Sequence, residues 1–432
     1  MEKGFDLGQA IAEANRCLLC HDAPCSRGCP CGTDPAAFIR KLRFRNIKGA
    51  IRTIKRNNIL GGACGVLCPS ARLCEKECSA AGLDRPIRIS RLQRFLVEHS
   101  WKIGFDAFEK QAPVKARVAV VGAGPAGISC AAGLAKAGFK ATVFEEKAEA
   151  GGVLRYGVPA HRFSKDFLKR ELHDLKVLGV KFRCSSPVRG KGAIARLLNR
   201  GYKAVFIATG LWQPVRLKGS DGKMKGVFDS VEFLEAINGS RLTKLRSAIK
   251  GKVVAVIGGG SVAIDCAESA LLLGARDVYL VYRRSYSQMP AEENERIRTL
   301  GSGVHFLLLN QPAGYTVGKK GELSGVRLLR TRLGKMDASG RRRPELIPGS
   351  EWTLGAGAVI EAIGNQAFDG SPVLYPDVRV SKDRLIIADA KTGKTSAKAI
   401  FAGGDIVRGP GLVAEAVGDG KIAAAAIEEA LS

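Results

Sequence analysis

Apolar positions follow two rhythms along this chain. Before residue 105, Phe38, Ile39, Leu42, Ile47, Ile51 and Ile54 recur at roughly helical spacing, which predicts helices with one buried face. After 117 the pattern becomes short β-branched runs that stop at glycine. Residues 118–121 (VAVV) lead into Gly122-Ala-Gly124-Pro-Ala126-Gly127; small residues run on to Ala137, Gly138 closes the helix, and the strand ATVFEE follows. The pattern returns at 253–263 as VVAVIGGGSVA, where Gly258, Gly260 and Ala263 stand 136 residues after Gly122, Gly124 and Gly127. Near-twin strands, VFIATG at 205–210 and AVIEAIG at 358–364, end the two halves, and a helix is expected over LVAEAVGDGKIAAAAIEEAL. Strands that alternate with helices predict parallel sheets, so the expected class is α/β behind a helical leading segment.

The glycine spacing gives the repeats their chemistry. Gly122 permits a tight turn, Gly124 lets a pyrophosphate approach the backbone, and Gly127 lets helix and strand pack closely. The helix N-terminus then faces the phosphates. Glu145, 18 residues after Gly127, is placed to accept ribose hydroxyls. Strand, turn, helix and strand in this order define a Rossmann-type dinucleotide fold. In the second copy Arg283, followed by Arg284, stands where the first has Glu145. A carboxylate repels a 2′-phosphate and guanidiniums bind one, so NADPH is expected there in preference to NADH. Ser261 and Val262 join Gly258, Gly260 and Ala263 at that helix start.

FAD falls to the first copy because of Phe-Ala-Gly-Gly-Asp at 401–405. In flavoproteins with two dinucleotide folds such an Asp binds the ribityl chain, and the next helix points at the flavin. Gly404 and Asp405 thus return to the first fold, and Ala126, Gly152 and Thr209 complete its expected contacts. The NADPH fold is then inserted in the FAD fold. No closely spaced Cys pair occurs after Gly127, so no internal disulfide receives the flavin's electrons. Cys130 and Cys266, at matching places in the two helices, are expected to be core thiols.

Nine of the twelve cysteines precede residue 79. They read Cys17-x2-Cys20-x4-Cys25-x3-Cys29-Pro30 and Cys68-Pro69-x4-Cys74-x3-Cys78, with Cys31 and Cys64 left over. Clustered thiolates point to a soft metal. A zinc ribbon uses paired C-x2-C knuckles, and only one such pair is present. Three close cysteines followed by Cys-Pro fit iron–sulfur ligation, in which the Cys before Pro serves a second cube. Cys17, Cys20 and Cys25 then form one set, with a fourth ligand from the second group, and Cys29 joins Cys68 and Cys74. Cys64 is either an eighth ligand or a small buried thiol.

Charge modifies the picture less than it first promises. The 432 residues, enough for about three domains, carry 68 Lys+Arg against 41 Asp+Glu, a net charge of +27. That balance raises a nucleic-acid reading, but two complete dinucleotide motifs argue against a zinc-bearing nucleic-acid binder. Residues 40–56 hold eight Lys or Arg and no acid, a solvated helix face or a docking face for an acidic partner. If they dock a partner, its reduction slows as ionic strength rises while reduction of a small neutral dye responds less. No apolar run reaches the ~18 residues of a membrane span. The N-terminus lacks the order of a signal peptide, so a cytoplasmic location without membrane attachment is expected.

The stretches RCLLCHDAPCSRGCP, FRNIKGAIRTIKRNN, CGVLCPSARLCEKEC and ISRLQRF resemble the N-terminal part of dihydropyrimidine dehydrogenase, and most nearly its bacterial FAD/iron–sulfur subunit. RTRLGKMDASGRRRPELIPGSEW and FAGGDIVRG resemble the glutamate synthase small subunit. The resemblance implies one 4Fe–4S cluster on Cys17, Cys20, Cys25 and Cys78, and another on Cys29, Cys68 and Cys74 with Gln93, the glutamine of RLQRF, in preference to Cys64. Cys31 stands where the family commonly has Ala, and Arg283–Arg284 departs from the NAD-using bacterial subunit. The implied role is electron input from NADPH through FAD and two clusters to a separate, FMN-containing subunit of a hetero-oligomer that reduces uracil or thymine. Alternatives are the glutamate synthase small subunit and a stand-alone NADPH–ferredoxin or sulfur oxidoreductase. No residue is assigned as acid, base or nucleophile. The expected domains are 1–110 (helical, iron–sulfur), 111–246 (FAD, first part), 247–370 (NADPH) and 371–432 (FAD, second part).

Overall fold

The computed structural model describes residues 4–108, 115–217, 224–239, 241–319, 321–337, 340–368, 375 and 378–432. The leading segment is helical: α1 (Leu7–Asn15), α2 (Pro24–Arg27), α3 (Pro35–Arg43), α4 (Ile47–Asn57), α5 (Gly61–Leu67) and α6 (Ile89–Lys102). Its helices start where side chains satisfy the free N–H groups of the first turn. Asp6 accepts from the Gln9 N–H, Asp34 from that of Ala37 and Asn46 from that of Gly49. Phe38, Ile39, Leu42, Ile51 and Ile54 are buried against Leu92, Phe95 and Leu96 of α6. The helical spacing thus marks a real core.

The chain next builds β1 (Arg117–Val121), α7 (Pro125–Lys136), β2 (Lys140–Phe144), α8 (Val153–Tyr156), α9 (Lys165–Val177), β3 (Lys181–Arg183), α10 (Ala193–Asn199) and β4 (Ala204–Ile207). A second body follows, with β5 (Gln213–Pro214), β6 (Val227–Asp229), α11 (Ser230–Ile237), α12 (Leu242–Ile249), β7 (Val253–Ile257), α13 (Ser261–Leu272), β8 (Asp277–Tyr282), α14 (Glu293–Gly301) and β9 (His305–Leu308). It continues through β10 (Asn310–Val317), β11 (Leu323–Met336), β12 (Arg342–Leu346), β13 (Trp352–Gly355), β14 (Ala358–Glu361) and β15 (Asn365–Gln366). The chain ends with β16 (Ile400–Ala402), α15 (Asp405–Arg408) and α16 (Val413–Leu431).

Two compact units result: Met1–Arg155 with His161–Leu211 and Ala367–Ser432, and Tyr156–Ala160 with Trp212–Gln366. In the first, five parallel strands run in the order β16-β4-β1-β2-β3. In the second, five parallel strands run β6-β14-β7-β8-β9. The central strands are buried on both faces, as near-continuous β-branched runs require.

The second unit also carries an antiparallel sheet of β10, β11, β12 and β13. The apolar pattern did not announce it, because β11 alternates buried residues with Arg and Lys on an exposed face. The unit's main stretch begins at Trp212, upstream of the expected start at 247, because edge strand β6 pairs with β14. The expected boundaries at 110–111 and 370–371 lie outside the described residues.

Candidate cofactor sites

The two glycine turns can be superposed residue by residue through their sheets. Gly122, φ 102°, follows β1, and a Cβ there would lie 2.4 Å from Ala208 O. Gly258, φ 148°, follows β7 and would meet Ala362 O at 2.3 Å. Both turns therefore require glycine. A Cβ on Gly127 would lie 2.0 Å from Gly122 O, so α7 packs as closely as a glycine allows. The second copy accommodates Ala263, fully buried, at the corresponding place. A Cβ on Gly260 meets nothing, and one on Gly124 meets only Gly152 Cα, at 3.9 Å. The space beside Gly124 and Gly260 at the two helix starts is thus clear of side chains, a fit for a pyrophosphate at each helix N-terminus.

The first turn gathers most of its expected residues. Glu145 follows β2 and is buried; its Oε2 accepts from Ala123 N–H at 2.8 Å and its Oε1 from Lys147 N–H at 2.9 Å. The carboxylate braces the glycine turn itself. Gly152, φ 52°, brings its backbone against Gly124, where a Cβ would lie 2.6 Å from Gly124 Cα. Thr209 adjoins Gly122; burial raises the Tyr375 phenol, and a hydrogen bond from the Thr209 hydroxyl pulls it back down in part. Gly404 approaches Ala126: a Cβ there would lie 2.9 Å from Ala126 Cβ. Asp405 opens α15, and burial raises its pKa to about 6 against the lowering pull of the Gly411 N–H and Arg408.

Asp419 of α16 was not anticipated. It accepts from Gly404 N–H at 2.8 Å and pairs with Arg408. The signal was an aspartate flanked by two glycines inside a helix of small residues.

The second turn departs in one informative way. Gly122 N–H donates to Phe144 O, and Gly258 N–H to Val281 O. Phe144 therefore corresponds to Val281, Glu145 to Tyr282, and Arg283 comes one residue later. The Tyr282 ring lies where a Cβ on Gly259 would be, 2.5 Å away, so it covers the turn that Glu145 braces in the first copy. The two arginines then part. Arg284 is buried, with Nη2 2.8 Å from Asp337 Oδ2 and Nε donating to Arg342 O at 2.8 Å. Arg283 is exposed, and its pKa is lowered by partial burial and by the charges of Arg284 and Arg341. Ser261 Oγ donates to Glu295 at 2.7 Å, and Val262 is exposed beside it.

The leading segment forms two thiol groups. Cys17, Cys20, Cys25 and Cys78 line one hollow, with Ile39 and Ile87 as its apolar wall. Burial raises the thiol pKa of Cys25 to about 11, with Cys78 adding to it, and raises Cys17 in the same way. The second group has Cys29, Cys68 and Cys74 as electrostatic neighbours. Cys31 belongs to it: its Sγ lies 3.5 Å from Cys29 Sγ, 3.1 Å from Thr33 Oγ1 and 3.2 Å from Asn58 Nδ2. The bond from Cys29 lowers the Cys31 pKa, but Cys64 and burial push it up to about 12.

Gln93 is buried on α6, and its Nε2 donates to Gly61 O at 2.6 Å, leaving Oε1 as acceptor. Cys130 and Cys266 are fully buried. Among the described residues no three Cys, His, Asp or Glu are spaced for a single ion. A cube spreads its four ligands over four irons; the first group supplies four thiols and the second Cys29, Cys68 and Cys74, a donor chemistry that suits two cubes.

This segment docks firmly on the first dinucleotide fold. Lys55 and Asp174 form a buried pair at 2.9 Å. Glu171, its pKa raised to about 8 chiefly by burial, accepts from the N–H groups of Gly62 and Ala63 at 2.6 and 2.9 Å. Of the eight basic residues in 40–56, Arg40, Arg45, Lys48, Arg52 and Arg56 remain exposed. Among the described residues no helix is long and apolar enough to cross a membrane.

Two parallel sheets with dinucleotide turns, joined to cysteine-bearing helices, define an NAD(P)H-dependent FAD/iron–sulfur oxidoreductase. Residues 1–105 match the family model described as dihydropyrimidine dehydrogenase domain II, 4Fe-4S cluster, and 116–420 match pyridine nucleotide-disulphide oxidoreductase. The chain belongs to the pyridine nucleotide-disulphide oxidoreductase family. It is 38% identical to the NADP(+)-dependent formate dehydrogenase subunit beta of Moorella thermoacetica over 95% of its length, and spans 60% of that protein. It is 35% identical to the NAD-dependent dihydropyrimidine dehydrogenase subunit PreT homolog of Salmonella typhi, covering 99% of this chain and 96% of the relative. It is 34% identical to the glutamate synthase [NADPH] small chain of Escherichia coli strain K12, covering 97% and 91%. Among solved structures, FprA of Mycobacterium tuberculosis in complex with NADPH has a TM-score of 0.61 at 20% identity, covering 73% of this chain and 84% of that one, a likeness of fold.

Proposed function

We propose that this protein is an electron-input subunit: it takes a hydride from NADPH and delivers single electrons to a separate catalytic subunit. When bound, the groups involved supply hydride acceptance by FAD and one-electron transfer by two 4Fe–4S clusters. The chain's own residues bind and position. Gly122, Gly124, Ala126, Gly127, Gly152, Thr209, Gly404 and Asp405 form the FAD cradle, with Glu145 bracing its turn. Gly258, Gly260, Ser261, Val262 and Ala263 form the NADPH cradle. Cys17, Cys20, Cys25 and Cys78 hold one cluster, and Cys29, Cys68, Cys74 and Gln93 the other.

The observation that carries this reading is the pair of open glycine turns in a chain that also groups its thiols in two sets. NADPH is supported by Arg283, exposed and crowded by Arg284 and Arg341, a concentration of positive charge that a 2′-phosphate relieves. Arg284 supports the site indirectly, since its guanidinium is spent on Asp337.

The partner we favour holds FMN and reduces uracil or thymine, a reading supported by the family match of residues 1–105. Arg283 and the NADPH-using relative favour a second reading, the small chain of glutamate synthase. Purification of the native complex, with mass spectrometry of its subunits and metal analysis, separates these. An FMN-bearing partner without an amidotransferase domain fits the first reading, and an amidotransferase partner sinks it in favour of the second. A protein that purifies without any partner overturns both, and zinc without iron ends the cluster assignment.

A further inference from the structure

One turn of the C-terminal helix, Val417–Lys421 of α16, touches three pieces of chain that are far apart in sequence and all belong to the first compact unit. Ser129 Oγ of α7 donates to Val417 O at 2.7 Å. Gly420 lets α16 close on α7, for a Cβ there would lie 2.2 Å from Ala126 O and 2.8 Å from Cys130 N. Asp419 holds the Gly404 N–H at 2.8 Å. These contacts fix the helix to the turn that cradles FAD in the reading above.

The other two residues of the turn face elsewhere. A Cβ on Gly418 would lie 2.6 Å from Pro30 O, the carbonyl between Cys29 and Cys31. Lys421 Nζ donates to Cys31 O at 2.6 Å. Positions three apart share a helix face: 417 and 420 grip α7, while 418 and 421 grip the Cys29 loop. Glycine weakens a helix interior relative to alanine, so two glycines within three residues of a 19-residue helix need a packing reason. Here each has its own.

We propose that the turn Val417–Lys421 sets the gap between the flavin cradle and the Cys29 loop, with Gly418 and Lys421 as positioning residues for one-electron transfer across it. The inference rests on the assignment of FAD and of Cys29 as a cluster ligand. Electron transfer rates fall steeply with the separation of donor and acceptor, so a small displacement of the loop slows transfer without touching either binding site. Lys421 also brings a cation beside Cys29 and Cys31. A positive charge favours the more reduced, more negative state of a nearby cluster and so raises its potential.

The test is anaerobic stopped-flow of the holoenzyme mixed with NADPH, following flavin reduction and then cluster bleaching. In Gly418→Ala and Lys421→Met, FAD content, iron content and the rate of flavin reduction stay at wild-type values, while cluster bleaching slows by about tenfold or more, a cost of misplacement. Lys421→Arg restores the rate. In redox titrations followed by electron paramagnetic resonance, Lys421→Met lowers the potential of one cluster and Gly418→Ala does not. Should Gly418→Ala fail to fold, the Lys421 pair carries the test. Cluster bleaching at the wild-type rate in fully loaded Lys421→Met overturns the inference alone. A wild-type protein without iron, or one whose flavin NADPH does not reduce, overturns the functional reading and this inference with it.

Discussion

The two parallel sheets share a glycine turn, a helix and four strands in the same order, yet they finish their carboxyl edges in opposite ways. In the first, Ile207 and Ala402 end β4 and β16 as buried apolar residues. The same register in the second sheet holds Glu361 and Asp229, both buried. Arg216 lies between them, 2.6 Å from Asp229 and 3.7 Å from Glu361, and Tyr315 Oη donates to Glu361 at 2.5 Å. Tyr315 sits on β10, so this polar network ties the antiparallel sheet to the parallel one. In the first unit the added element is α16, which packs on α7. A duplicated fold has thus kept its nucleotide turn and changed the means by which its added elements are fastened.

Gly127→Ala is expected to have the largest effect. Its methyl would sit 2.0 Å from Gly122 O, and purified protein should lose flavin absorbance. The reciprocal Ala263→Gly should leave NADPH oxidation nearly intact, and retention of flavin by Gly127→Ala would break the distinction between the two turns. Next comes Arg216→Met, which strands two buried carboxylates at a cost of about 3–5 kcal/mol. Thermal unfolding should report it as a lowered Tm, while flavin content stays unchanged.

Third is Arg283→Glu, expected to lower the NADPH-to-NADH ratio of kcat/KM by about tenfold or more, the worth of a charge-assisted bond. Arg284→Ala should instead lower stability with little change in that ratio. The reverse pattern would undo the separation of the two arginines.

The smallest effect is a pH slope confined to the first fold. Asp405 titrates near 6 when folded, above its ordinary value of 3.8. A raised carboxyl contributes stability that is full below the unfolded pKa and is lost as pH rises through the folded one. Stability of the FAD-free protein should therefore fall between pH 4 and 6, where the raised Glu171 contributes in the same sense, and Asp405→Asn should lessen that slope in denaturant titrations.

Both nucleotide folds were legible because β-branched runs ending in glycine have few other uses, and the helical core was legible in Phe38 through Ile54. Finer placement was not. Counting from the glycines cannot reveal the one-residue offset that matches Glu145 with Tyr282, since only sheet register fixes it. Arg283 and Arg284 are neighbours in sequence, but consecutive strand-end residues point to opposite sides, which separates an exposed guanidinium from a buried one. Cys31 looked spare until the fold brought Cys29, Asn58 and Cys64 around it. The antiparallel sheet hid behind its own charges. Gly418 meets Pro30, hundreds of positions away, and no local pattern encodes that.

The nesting of one sheet inside the other also sets a timetable for synthesis. Every strand of the second parallel sheet has been made by residue 361, whereas β16 waits until 400–402 and its covering helix comes last. From the end of β4 to β16 the ribosome needs roughly ten seconds or more, at about 5–20 residues per second. During that interval β4 presents an unpaired edge, and such edges recruit wrong partners. The nucleotide turn translated first is therefore the one completed last, and the nascent FAD half is where chaperones have the most to protect.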